Sequence, residues 1–255
     1  MDNALSLIAH HGLNQSVRTL KCTGGGAYKF RTLFQTDAGI KLEVCDEMDC
    51  TIKGLNFMLN FLIGEVFTFE QVDFATLTAR KVYRKRQNAA SDIFPYTLVS
   101  IGSGVSILVV KSPTEYERVS GSSIGGGTYW GLCRLLTSCQ TYDEALDLSE
   151  NGNNFKVDMS VGDIYGGAYD KFNLPASTVA SSFGKAATLV DDVSSIADAD
   201  IARSLLIMIT QNIGQISYLN ACLHGTKRIF FVGNFLRHNK VWRIDGRSFI
   251  LSLLI

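Results

Sequence analysis

The chain has 255 residues, 24 of them Lys or Arg and 24 Asp or Glu, so its formal net charge is zero. That excludes a nucleic-acid protein held by bulk electrostatics, since such domains are strongly basic. With 46% hydrophobic and 19% charged residues, wholesale disorder is excluded too, and the length allows one large domain or two small ones.

Met1-Asp2-Asn3 is acidic, and His10-His11 interrupts the apolar stretch behind it, so no signal peptide is expected. The two histidines are expected at the surface. Residues 17–22, VRTLKC, alternate apolar and polar and predict a strand. They run into Thr23-Gly24-Gly25-Gly26. Residues 27–35 have helical spacing, which Gly39 ends, and 40–45 predict a short strand. Asp46-Glu47 opens a helix to about residue 62, with Leu55, Met58, Leu59 and Leu62 on one face.

Residues 64–94 are the least patterned and carry the run Arg80-Lys81-Val82-Tyr83-Arg84-Lys85-Arg86. A short basic run in a neutral chain reads as a solvated strand or loop, with a phosphate or nucleic-acid contact as the alternative. Residues 96–100 and 105–111 predict a β-hairpin around Gly102-Ser103-Gly104, and 116–119 another strand. The glycine-rich stretch 121–128 leads into a helix over 129–137. Thr141 and Glu144, in T-x-x-E spacing, predict a capped helix to about residue 150, stopped by Asn151-Gly152-Asn153-Asn154. Ile201, Leu205, Ile209, Ile213 and Ile216 mark one face of a long helix over 199–223. Residues 228–232 predict a strand, turned by Gly233-Asn234. There is no internal repeat, and helices alternating with strands favour an α/β layer architecture.

Six cysteines form no C-x-x-C pair and have no neighbouring histidine pattern to complete a zinc site. They read as reduced, mostly buried thiols of an intracellular protein. The apolar run 249–255 is too short to span a bilayer, so a soluble, cytosolic protein is expected.

Chemistry concentrates in two places. The turns at Gly24–Gly26, Gly102–Gly104 and Gly125–Gly127 let backbone N–H groups approach a phosphate, and two of them open predicted helices. Ser103, Ser106 and Thr128 add hydroxyls and Arg118 a positive charge. No Walker A pattern occurs. Asp46, Glu47 and Asp49 cluster at a helix start, where they complement the helix dipole or, alternatively, supply a general base or a Mg²⁺ contact.

The blocks T-G-G-G-A-Y-K-F (23–30), D-E-M-D-C-T-I-K-G-L (46–55), I-G-S-G-V-S-I-L-V-V (101–110) and Y-E-R-V-S-G-S-S-I-G-G-G-T (116–128) closely resemble the eukaryotic, type II pantothenate kinase family. So do D-I-Y-G-G (163–167), V-A-S-S-F-G (179–184) and F-V-G-N-F-L-R (231–237). The resemblance covers residues 20–239, leaving 1–19 and 240–255 as divergent ends. It implies an actin-like ATPase (ASKHA-type) kinase fold, a homodimer, and transfer of phosphate from ATP with Mg²⁺ to pantothenate in coenzyme A synthesis. It implies Glu47 as catalytic base, and Ser103, Ser106 and Arg118 as contacts to substrate and to the feedback inhibitor acetyl-CoA. Gly125, Gly126, Gly127 and Thr128 resemble a nucleotide-phosphate loop. No metal ligand is named by it. The family's D-I-G-G-T motif and nearby Lys are absent, so the expectation is the middle of a kinase, weakly active alone. A non-catalytic partner that dimerises with a full-length kinase or binds acyl-CoA is the alternative.

Overall fold

A computed structural model describes residues 2–62, 64, 66–73, 78–83, 93–188, 195–237 and 251–253. The chain divides into two units, Met1–Leu62 and Ile63–Ile255.

The first unit contains α1 (Asp2–His10), α2 (Leu13–Ser16), β1 (Thr19–Cys22), α3 (Gly25–Lys29), α4 (Arg31–Asp37), β2 (Lys41–Val44) and α5 (Glu47–Phe61). β1 and β2 pair in parallel, Thr19 opposite Lys41 through Cys22 opposite Val44. Parallel neighbours need a crossover, which α3 and α4 supply. Phe34, Ile40 and Leu42 form the core under it, with Leu5, Ile8, Cys22, Phe30 and Ala38 packed alongside. The single helix expected over 27–35 is two helices, parted at Phe30, whose ring joins that core. α5 buries Ile52, Leu55 and Leu59. Leu55 and Leu59 of the expected stripe are buried and Ile52 extends it by one turn, whereas Met58 is half-buried and Leu62, one residue past the helix end, is 43% exposed.

The second unit is built on a seven-stranded sheet. Its strands are β3 (Phe67–Asp73), β4 (Thr78–Tyr83), β5 (Tyr96–Ile101), β6 (Val105–Val110), β7 (Tyr116–Ser122), β10 (Ile229–Val232) and β11 (Leu251–Leu253), in spatial order β4-β3-β11-β10-β5-β6-β7. β10 runs parallel to β5 and β11; the other pairs are antiparallel. The least patterned stretch thus supplies β3 and β4. The basic run begins on β4, an edge strand, where exposed Arg80 suits an edge that must not pair further. Arg84-Lys85-Arg86 lies outside the described residues. The carboxyl-terminal stretch, read as a tail without assigned structure, contributes β11 beside β10.

Three helices, α6 (Gly126–Leu136), α7 (Tyr142–Glu150) and α10 (Asp198–Leu223), share a core with the sheet. Leu205, Leu206, Ile209 and Ile213 of α10 meet Val99, Ile101, Val105 and Ile107 of the hairpin in that cluster. Burying each such side chain contributes about 1.5–3 kcal/mol. Thr141 caps α7 by accepting from the Glu144 N–H at 3.2 Å. The Glu144 carboxylate reaches back to the N–H of Gln140, one residue earlier than a capping box requires.

Between α7 and α10 lie short elements the periodicity did not announce: β8 (Met159–Ser160), α8 (Val161–Tyr165), β9 (Val179–Ser181) and α9 (Gly184–Thr188). Asp158, fully buried, ties this excursion to α10. It accepts from the Phe183 N–H at 2.9 Å, the Asn154 side-chain amide at 2.9 Å and the Ser204 hydroxyl. All six cysteines are free thiols, but only Cys133 and Cys139 are buried; Cys50 and Cys222 are exposed, against the expectation of mostly buried thiols. Among the described residues no helix is long and apolar enough to cross a membrane.

Candidate active site

Glu47 is the first residue of α5, in the first unit. Asp46 before it is the N-cap: its carboxylate accepts from the Asp49 N–H at 2.8 Å. Asp49 pairs with Lys53 at 2.9 Å. Two of the three acids are therefore engaged in helix capping and a surface ion pair. Glu47 is exposed, its carboxylate beside Gly24, 3.7 Å from where a Cβ there would stand. Gly24 has φ +82°, a conformation that disfavours any L side chain. Thr23 holds this turn against the β2–α5 junction, its hydroxyl donating to the Cys45 carbonyl at 3.1 Å. The T-G-G-G block and the D-E-M-D-C block thus meet, with Glu47 as the carboxylate facing the turn.

Ser103, Ser106, Arg118 and Gly125–Thr128 belong to the second unit. The β5–β6 turn carrying Ser103 lies directly on the start of α6. The Gly126 N–H donates to the Gly102 carbonyl at 2.9 Å and the Gly127 N–H to the Ser103 carbonyl at 3.0 Å. A Cβ on Gly125 would stand 2.7 Å from the Ser103 carbonyl oxygen, and one on Gly126 2.8 Å from that of Gly102. The glycines are there because two backbones touch. The Thr128 hydroxyl donates to the Ser123 carbonyl at 3.0 Å, with the Gly125 N–H directed at it at 3.3 Å. As a phosphate loop this stretch offers fewer donors than its sequence suggests: the amides of Gly126 and Gly127 already serve the hairpin.

The donors that remain are side chains. β6 and β7 pair Ser106 with Gly121, Ile107 with Ser120, and Leu108 with Arg118. Val119 is therefore a bulge. Opposed residues share a face, as do Ser106 and Leu108 two apart on β6, so the bulge puts Arg118 on the face of Ser106 and Gly121. In an unbroken register Arg118 would point to the other face. Its Nε donates to the Ser106 hydroxyl at 3.4 Å, and the side chain is exposed. A hydroxyl and a guanidinium suit an anionic oxygen. Among the described residues no three His, Cys, Asp or Glu side chains form a metal-binding group.

The sequence puts Gly121 at the head of the glycine-rich stretch 121–128, whereas the structure puts it inside β7, where a glycine is a signal of close approach. Sequence reading passed over Asp163 of the D-I-Y-G-G block as a capping residue. Asp163 accepts from the Ser160 hydroxyl and N–H at 2.7 and 2.8 Å and pairs with Lys185 at 2.9 Å. The Ser160 bonds, then Lys185, pull its carboxyl down to about 2. Arg237, closing F-V-G-N-F-L-R, pairs with Asp143 of α7 at 2.8 Å.

The chain is thus a mixed α/β protein with an exposed carboxylate at one helix start and a hydroxyl–guanidinium group on one sheet. The family model Fumble matches residues 1–244. Pantothenate kinase 2 of rice (Oryza sativa subsp. japonica) is 48% identical over 234 residues, which is 91% of this chain and 25% of that protein. A mouse 4'-phosphopantetheine phosphatase is 43% identical over 241 residues, 94% of this chain and 28% of that one. The chain spans a quarter to just over half the length of such relatives, up to 57%. Ligand-bound xylulose kinase from Lactobacillus acidophilus superposes on 88% of this chain and 41% of its own, with 13% identity. The TM-score is 0.42. The chain belongs to the Fumble family.

Proposed function

We propose that this chain carries the substrate side of a pantothenate kinase of the actin-like ATPase fold, acting in coenzyme A synthesis in the cytosol as a homodimer. Family membership supports the reading, and the observation that carries it is Glu47: an exposed carboxylate, spared from capping and ion pairing, set against the T-G-G-G turn. Phosphoryl transfer depends on positioning and charge neutralisation more than on covalent chemistry. Bound ATP with Mg²⁺ supplies the phosphoryl group. Glu47 accepts the proton of the pantothenate primary hydroxyl as that oxygen attacks. Arg118, steadied by Ser106, and Ser103 hold an anionic group of the substrate, or of acetyl-CoA as feedback inhibitor, by charge-assisted hydrogen bonds.

ATP labelled in its γ-phosphate, offered with Mg²⁺ and either pantothenate or a hexose, tests this on the purified chain, whose own turnover is expected to be weak. Label transfer to pantothenate and not to hexoses is expected, falling about 10²-fold or more in Glu47→Gln with the circular dichroism spectrum unchanged. Undiminished turnover in Glu47→Gln returns that side chain to a helix-dipole role. Transfer to a hexose in place of pantothenate overturns the substrate.

A further inference from the structure

Gly121 sits in the interior of β7, opposite Ser106 and three residues after Arg118. A strand-interior glycine weakens a sheet, so something else must require it. A Cβ there would overlap the Arg118 guanidinium outright and stand 2.6 Å from the Val105 carbonyl oxygen. The Val119 bulge has already turned Arg118 onto this face. From there the side chain lies over Gly121 to bring Nε to the Ser106 hydroxyl at 3.4 Å.

We propose that Gly121 is a positioning residue for Arg118. Bulge and glycine together form a track: the bulge selects the face, and the missing Cβ leaves a groove in which the guanidinium lies. A side chain at 121 lifts the guanidinium off the strand and breaks its bond to Ser106, moving the charge away from whatever anion it serves. That the anion is an acyl-CoA or substrate group rests on the function proposed above; the groove itself does not.

The test is a double-mutant cycle of Arg118→Ala and Gly121→Ala in the full chain, read by thermal unfolding and by acetyl-CoA titration. In wild type, Gly121→Ala is expected to lower Tm by roughly 3–10 °C, the scale of overpacking in a domain of this size. In the Arg118→Ala background the part of that loss owed to the guanidinium should vanish, while the part owed to the Val105 carbonyl oxygen, 2.6 Å from the new methyl, stays. An equal loss in both backgrounds assigns the clash to the Val105 carbonyl and overturns the proposal. A Gly121→Ala chain that fails to fold still decides the matter: folding restored by Arg118→Ala supports the groove, and a double variant that also fails to fold overturns it. For the ligand, Arg118→Ala should weaken acetyl-CoA binding about 10-fold or more. Gly121→Ala should weaken it in wild type and by less than about 2-fold when Arg118 is already Ala, which a merely structural glycine would not do. If Arg118→Ala weakens binding and Gly121→Ala does not, the positioning role fails while the reading of Arg118 stands. If wild type binds no acetyl-CoA, the ligand reading and the positioning role fail together, and only the steric groove is left to the Tm cycle.

Discussion

At the scale of single residues, two different demands have selected the same residue type. Gly24 is required by its dihedral angle, and Gly125, Gly126 and Gly127 by contact between backbones. The distinction has consequences for mutation. Gly126→Ala must push its methyl toward the Gly102 carbonyl at 2.8 Å and the Phe235 ring at 3.3 Å, and neither is a flexible chain end. It should destabilise the chain by about 1–3 kcal/mol or more, read in urea titration, and loosen the hairpin turn that bears Ser103. Were this glycine free to cradle a ligand, Gly126→Ala would instead keep wild-type stability and lose binding alone. The sequence flagged the triplet, but not which of its amides were committed, because a hydrogen bond to a turn some twenty residues away leaves no local pattern.

At the scale of elements, the excursion between α7 and α10 is held by polar groups, with little apolar periodicity to reveal it. α8 begins with Ser160 and Asp163 capping each other, and Lys185 on α9 closes the arrangement. Ser160→Ala should cost about 1 kcal/mol, the usual worth of an N-cap. Asp163→Asn should destabilise as well, with a pH dependence of determined sign. The folded-state pKa is depressed, from 3.8 to about 2, by the Ser160 hydrogen bonds and by Lys185. Its contribution is therefore complete above about pH 4 and is lost as pH falls through about 2. The gap between wild type and Asp163→Asn in denaturant titrations should narrow over that window; a gap constant down to pH 2 refutes the assignment. Asp158 works on the same level, since one buried carboxylate satisfies three donors from three segments. In a sequence it is an unremarked Asp between Val157 and Met159.

At the scale of the whole molecule, the long helix α10 carries the apolar stripe Ile201, Leu205, Ile209, Ile213 and Ile216. Most of its apolar face is absorbed by the sheet, Leu205, Leu206, Ile209 and Ile213 all being buried. Three large side chains near its end stay exposed: Tyr218 at 40%, Leu219 at 58% and Leu223 at 79%. The proposed homodimer is expected to use this end. Light scattering should give a dimer at micromolar concentration, and Leu219→Glu with Leu223→Glu should shift it to monomer without lowering Tm. A wild-type chain that is monomeric and folded at that concentration refutes the dimer.

The sequence by itself determined the elements whose periodicity is local: the β5–β6 hairpin, the capped α7, α10 and the acidic start of α5 are all within a residue or two of where spacing and capping signals put them. It also determined the motif blocks that mark the family. The tertiary structure decided what spacing cannot encode. β11 became a strand by lying beside β10, and the buried stripe of α5 kept Leu55 and Leu59 but begins a turn earlier, at Ile52, and stops before Leu62. Most tellingly, Arg118 faces Ser106 through one extra residue in β7. Strand alternation has period two, so a single bulge reverses a side chain's face, and only the pairing with β6 shows that the bulge is there.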